Sequence, residues 1–192
     1  MAKVYEFLAN GFEDIEALAP VDILRRGGLE VVTVSITGSE YVESAHGVEV
    51  KADVWFEDVE SFDDADLLLL PGGMPGAANL DMHHQLGQVL IDHCERGKLM
   101  GAICAAPLVL GRRGLLDGRR ATCYPGFEQY LDGAEITHEL VTEDGNIITG
   151  EGPAAAFEYG YRLLARFVPA EDVEALKEGM RYKHLMGKST LN

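Results

Sequence analysis

Cysteine, tryptophan and positive charge are the scarce commodities of this 192-residue chain, which holds three Cys, one Trp and half as many cations as anions. Cys94, Cys104 and Cys123 are odd in number and form no CxxC pair, which argues against a disulfide framework and against a zinc site. Reduced thiols suit a cytoplasmic protein, where a reactive cysteine is usable. Sixteen Lys and Arg against 32 Asp and Glu leave a net charge of −16, with no basic run anywhere. Nucleic acids and anionic membranes both select clustered cations, so neither is expected as a partner. Neither a long apolar span nor a leader peptide is recognisable. Low-complexity linkers and internal repeats are missing too, so residues 1–182 read as one domain and 183–192 as a flexible tail. The rest is ordinary globular composition, 47% hydrophobic and 25% charged, in a chain long enough to bury a core without staples.

Strand and helix patterns alternate from the start. Residues 4–8 form an apolar run ended by Asn10-Gly11. Residues 14–26 are helical in pattern, with Ile15, Leu18 and Leu24 to one side and Gly27-Gly28 as a stop. A β-branched strand follows at 31–36, then a short antiparallel excursion over 41–52 around His46-Gly47. Residues 66–70 contain four consecutive leucines, a strand buried on both faces as in a parallel sheet. Helices are expected at 86–96, 105–113, 153–167 and 170–180. Further strands are expected at 99–104 and 120–124, and a hairpin joins 139–142 to 147–149 across Asp144-Gly145-Asn146. This succession predicts a doubly wound α/β sheet, mostly parallel, with helices on both faces and ligands beyond the carboxyl ends of the strands. Leu8, Leu70, Cys104 and Tyr124 are expected to converge there.

The segment 98–108, Lys-Leu-Met-Gly-Ala-Ile-Cys-Ala-Ala-Pro-Leu, carries the most chemistry. A strand that stops at Cys104 and turns into a helix places the thiol on a nucleophile elbow facing substrate. The amides and dipole of the next helix then favour thiolate. Cys94 and Cys123 lie inside regular elements and fit the role of small buried hydrophobes. The Ala105 amide can donate to an oxyanion, and a glycine amide from Pro71-Gly72-Gly73 can supply a second donor. Glu16 follows Glu13 and Asp14 in a first helical turn but is pushed toward the core, where burial favours the protonated acid. A neutral carboxyl can hydrogen-bond a thiolate and serve as general acid or base. Tyr124, before Pro125-Gly126, is a candidate neighbour of the thiol. Gly150-Glu151-Gly152-Pro153 superficially matches a dinucleotide loop. Pro153 lacks an N–H for phosphate and no later strand brings a ribose-binding acid, so the loop reads as close helix–sheet packing beside a pocket. The six histidines show no metal-ligand spacing.

These motifs occur in a recognisable order between about residues 3 and 180. They are Gly11-x-Glu13-x-x-Glu16, Pro20-Val21-Asp22 with Arg25-Arg26, Leu70-Pro71-Gly72-Gly73, Ala102-Ile103-Cys104-Ala105-Ala106-Pro107, and Gly152-Pro153 with Phe157-Glu158. In that combination the chain resembles the ThiJ/PfpI superfamily, and within it the branch of the Parkinson-disease-associated protein deglycase. The resemblance implies a flavodoxin-like homodimer without a cofactor. It implies Cys104 as nucleophile, protonated Glu16 hydrogen-bonded to the thiolate, and Gly73 and Ala105 as oxyanion donors. It further implies chemistry on reactive carbonyls, methylglyoxal to lactate without glutathione, or removal of early glycation adducts. The alternative it offers is a redox-sensing stress protein or chaperone that uses oxidation of Cys104 to a sulfinate. Two departures shape the expectation. Tyr124 stands where the best-known members carry histidine, so the acid–base step falls on Glu16 or on water. Ala105 stands where protease-like members carry histidine, so peptidase activity is not expected.

Overall fold

Leu67–Leu70 forms the central strand of a seven-stranded sheet in the computed structural model, which describes residues 1–188. All four leucines are buried, as a strand covered by helices on both faces requires. In chain order the first half comprises β1 (Lys3–Leu8), α1 (Asp14–Arg26), β2 (Glu30–Ser35), β3 (Tyr41–Glu43), β4 (Glu49–Lys51), β5 (Val54–Trp55), β6 (Leu67–Leu70), α2 (Gly76–Met82) and α3 (His84–Glu95). The second half comprises β7 (Leu99–Ile103), α4 (Pro107–Gly111), β8 (Arg120–Ala121), β9 (Glu135–Ile136), β10 (Val141–Asp144), β11 (Ile147–Gly150), α5 (Ala156–Leu164), α6 (Ala170–Gly179) and α7 (Tyr182–Lys188).

The sheet runs β10-β11-β7-β6-β1-β2-β5 and is parallel except for the β10–β11 hairpin. From β1 the chain steps outward to β2, whereas β6 and β7 build on the other side of β1. Strand order therefore reverses between β1 and β6, and a crevice opens beyond their carboxyl ends. This is the doubly wound α/β architecture that the alternating pattern predicts, of the flavodoxin-like kind that the resemblance implies.

Helix α1 begins where the sequence places it because Glu13, in extended conformation, accepts a hydrogen bond from the Glu16 N–H at 2.8 Å. Arg25 and Arg26 occupy its last turn, where cations offset the helix dipole. The β3–β4 hairpin is held against the start of α1 by the Ala45 N–H, which donates to the Phe12 carbonyl at 2.7 Å, and by His46 Nδ1, 2.6 Å from Asp14 Oδ2.

Four expectations change. The predicted strand 120–124 shrinks to β8, which pairs with β9 in a separate two-stranded sheet, so Tyr124 ends no strand of the main sheet. The helix expected over 105–113 is only α4, Pro107–Gly111, because residues 104–106 form a turn first. β5, α2 and β9 are additional. Residues 183–188 of the segment read as a tail belong to α7, and 189–192 lie outside the described residues. Among the described residues no helix is long and apolar enough to cross a membrane.

Candidate active site

Cys104 lies one residue beyond β7, with φ of +63°. A side chain in this left-handed region costs roughly 1–2 kcal/mol, so its neighbours must hold it there. They do so from both sides: the Cys104 N–H donates to the Gly150 carbonyl at 2.9 Å, and its carbonyl accepts from the Tyr124 N–H at 2.9 Å. The elbow is thus built from three chain segments, and Tyr124 reaches it through its backbone.

Glu16 arrives from the first turn of α1, only 1% exposed. The contact that joins it to Cys104 runs over Gly72, just beyond β6. A Cβ on Gly72 would fall 2.4 Å from Glu16 Oε2, 2.7 Å from Cys104 Cβ and 2.8 Å from the Ile103 carbonyl oxygen. Only glycine lets the carboxyl and the cysteine close over this backbone. The loop is fixed in turn by the Glu13 N–H, which donates to the Gly72 carbonyl at 3.0 Å.

Electrostatics link the two groups. Burial lifts the Glu16 carboxyl to about 7, against the smaller downward pull of the Cys104 thiol and the Gly72 amide, with Glu13 adding to the rise. Both Glu16 oxygens lack a protein partner at ordinary hydrogen-bond geometry, so burial dominates. The Cys104 thiol is also pushed up, first by burial and then by the Glu16 charge, while the backbone N–H groups of Gly73 and Ala105 draw it down. The sulfur does not face outward as the sequence suggests: Cys104 is 8% exposed, and desolvation opposes the thiolate that the two amides favour. When Glu16 holds a proton its repulsion disappears, and only burial opposes the two amides.

Gly73, Ala105, Glu16 and Cys104 thus meet at one point, and Tyr124 stands beside it. The Tyr124 side chain is 47% exposed, and a concavity of about 290 Å³ opens along it, lined also by Leu140, Glu151, Gly152 and Pro153. The Gly-Glu-Gly-Pro loop accordingly forms pocket wall. A hollow of about 320 Å³ between Phe62, His93 and Arg96 is lined by none of these groups.

Sequence reasoning passed over three features. Gly72, rather than Gly73 alone, is the point of closest approach. Glu6 is an acid buried in β1, concealed by the apolar run around it. Glu13, Asp14 and His46 bring ligand-type atoms within 4.8 Å of one another, a grouping that the separation of His46 from the acids hides in the sequence. Glu13 caps α1 and Asp14 already bonds His46, so the trio acts as a structural clasp.

A doubly wound sheet with a strained cysteine elbow, a buried acid across a glycine and two amides at the sulfur defines a class of cysteine-centred α/β proteins. Residues 2–166 match the DJ-1/PfpI family, and the chain belongs to it. It is 34% identical over 173 residues to a Parkinson disease protein 7 homolog of Danio rerio, covering 88% of this chain and 92% of the relative. It is 31% identical to a glutathione-independent glyoxalase of Caenorhabditis elegans, covering 85% of this chain and 87% of that one. A deglycase of Pyrococcus horikoshii is also 31% identical, covering 82% and 94% respectively. Among solved structures, a DJ-1 superfamily protein of Salmonella typhimurium superposes with a TM-score of 0.90 at 34% identity, covering 94% of this chain and 98% of the other.

Proposed function

We propose that this protein is a cofactor-free enzyme of small reactive carbonyls, of the glutathione-independent glyoxalase and deglycase type. The single observation that carries this reading is the closure of Glu16 and Cys104 over Gly72, with the amides of Gly73 and Ala105 on the sulfur. Relatives named as glyoxalase and deglycase support the same chemistry.

Methylglyoxal or a like aldehyde enters beside Tyr124. Glu16 takes the thiol proton, and the sulfur adds to the aldehyde carbon to give a hemithioacetal. Gly73 and Ala105 N–H groups stabilise the oxyanion formed on that carbon. Glu16 passes the thiol proton on to that oxygen, which frees its carboxylate. As the hydroxyl proton moves to the neighbouring carbonyl oxygen, a proton is removed from this carbon and returned to the adjacent one. Glu16, with its proton affinity near neutrality, is the residue placed to carry it. The product is a thioester, which water hydrolyses to lactate, restoring the thiol. Tyr124 contributes its backbone to the elbow and its ring to the pocket, and takes no part in the proton transfer. Assembly as a homodimer in the cytoplasm belongs to the same proposal.

The test is lactate formation from methylglyoxal, without glutathione or metal, by wild type and Cys104→Ala. Product from wild type alone is the expected result. No product from either, with one sulfinate forming per Cys104 under mild peroxide, sinks the enzyme reading. That outcome favours a redox sensor, a reading supported by the buried acid beside the cysteine, which would hydrogen-bond a sulfinate.

A further inference from the structure

The main chain that grips Cys104 also carries the walls of the cavity beside it. The Cys104 N–H donates to the Gly150 carbonyl, and the Tyr124 N–H donates to the Cys104 carbonyl, each at 2.9 Å. Glu151 follows Gly150 directly. The Tyr124 ring lies on the bare backbone of Gly152, where a Cβ would fall 3.2 Å from Tyr124 Cδ2. Tyr124 and Glu151 are thereby fixed at the hollow of about 290 Å³ beside the elbow. Its other walls are prolines, alanines, Gly152 and Leu140, so Glu151 is the one charged residue lining it among the described residues.

That carboxylate is uncommitted. Glu151 is half-buried and its backbone N–H donates to the Leu140 carbonyl at 3.0 Å, but among the described residues its side chain makes neither a hydrogen bond nor an ion pair. Other acids of this region are occupied. Glu128 accepts the Gly126 N–H at 2.7 Å, Glu139 pairs with Arg120 at 3.3 Å, and Glu158 pairs with Arg162 at 2.8 Å. Arg162, in the hollow that adjoins across Leu140, is held by Glu143 as well, at 3.0 Å. Both arginines are therefore spoken for, and Glu151 sets the sign of the field in the cavity. Cys123, the residue before Tyr124, registers that field: its thiol is pushed up to about 12, first by burial and then by the charges of Glu128 and Glu151. A carboxylate on an apolar wall is partly desolvated with nothing to offset the loss, and a cation is the group that would offset it.

We propose that Glu151 sets the charge selectivity of the site, favouring carbonyl compounds whose far end is cationic and turning away those whose far end is anionic. The inference rests on the reading of Cys104 as nucleophile toward small reactive carbonyls, and it adds the class of substrate. With the aldehyde carbon at the sulfur, the rest of the molecule extends along Tyr124 toward Glu151. The charged end makes and breaks no bond, so Glu151 acts on approach and binding and leaves the proton transfers to Glu16. α-Oxoaldehydes carried on an ammonium group are the preferred class, and those ending in carboxylate or phosphate are the excluded one. Rejecting a wrong partner by an unpaired like charge is a general route to specificity.

The test uses two thiol reagents of similar size and opposite charge, methanethiosulfonates bearing a trimethylammonium-ethyl or a sulfonate-ethyl group. Labelling is read on the Cys104 peptide by mass spectrometry, and each rate is normalised to that of a small free thiol. The same sulfur attacks both reagents, so its own reactivity cancels from the cation-to-anion ratio. Wild type should favour the cation, and added salt should shrink that preference. Glu151→Gln should lower the ratio roughly tenfold and Glu151→Lys should lower it further. Glu60→Gln changes the net charge equally but lines a separate hollow, and should keep the wild-type ratio. The same order should appear in kcat/KM for 4-trimethylammonio-phenylglyoxal against 4-carboxyphenylglyoxal. Equal ratios for wild type and folded Glu151→Gln overturn the proposal, as does an equal shift from Glu60→Gln, which marks an effect of net charge. Glu151→Gln decides the matter alone if Glu151→Lys fails to fold. Turnover of neither glyoxal by wild type would defeat the enzyme reading instead, because the labelling ratio needs no turnover.

Discussion

Chemistry and stability are both concentrated on Glu16. Its carboxyl titrates at about 7 in the folded chain, against an ordinary value of 4.5. A carboxyl raised by folding contributes stability that is complete below 4.5 and lost as pH rises through about 7. Glu16→Gln is neutral at every pH and escapes that loss. We expect it to exceed wild type in stability at pH 8 by up to roughly 3 kcal/mol, with the difference vanishing toward pH 4.5. Thermal melts at the two pH values check this, and equal differences at both would refute the burial argument. The same variant should form no lactate, since an amide cannot take the thiol proton. Gly72→Ala probes the other half of the contact. Its methyl would meet Glu16 Oε2 at 2.4 Å, with Cys104 Cβ and the Ile103 carbonyl oxygen close behind. A loss of about 1–3 kcal/mol is expected, with slower alkylation of Cys104. A variant as stable and as reactive as wild type would show that the two groups do not close over this glycine.

Among the helices, α3 carries a pH-dependent tie. His93 is buried and its Nε2 lies 3.0 Å from the Leu99 carbonyl oxygen, joining α3 to β7. Burial pulls this imidazole down to about 4. A histidine lowered by folding supports the native state above its ordinary value of 6.5, and that support is lost as pH falls toward about 4. His93→Gln should flatten the acid limb of the stability profile between those values, measured by urea unfolding at a series of pH. A limb unchanged from wild type would place its cause elsewhere. The elements that were legible in the sequence are those whose cause is local. α1 was readable from its acidic first turn and Gly27-Gly28, β6 from its leucines, and the β10–β11 hairpin from Asp144-Gly145-Asn146. β5 and β8 are two residues long and exist because a neighbouring strand offers hydrogen bonds, which no local pattern reports. The site divides the same way. The Cys104 elbow follows from strand, small residues and turn, whereas the burial of the sulfur, of Glu6 and of Tyr159 is set by distant segments.

Over the whole molecule, the net charge of −16 bears on assembly. Ile15 and Leu18 on α1 are 48% and 39% exposed, and Val48, in the hairpin clasped to that helix, is 48% exposed. Apolar side chains gathered at one edge suit an interface, and a second copy of the chain is the occupant our proposal gives it. Joining two copies brings −16 onto −16, −32 in total, so charge opposes assembly while the apolar face favours it. The dimer should therefore tighten as salt is raised, because screening removes repulsion between surface charges and leaves apolar burial intact. Sedimentation at low and high ionic strength reads this directly, and Leu18→Glu should yield monomer at both. A monomeric wild type at both ionic strengths, or a Leu18→Glu dimer, would refute an interface through α1. The consequence reaches the site, since Glu16 occupies the first turn of that same helix between Ile15 and Leu18. If α1 forms the interface, Leu18→Glu should also change the alkylation rate of Cys104, whereas an interface elsewhere would leave the cysteine untouched.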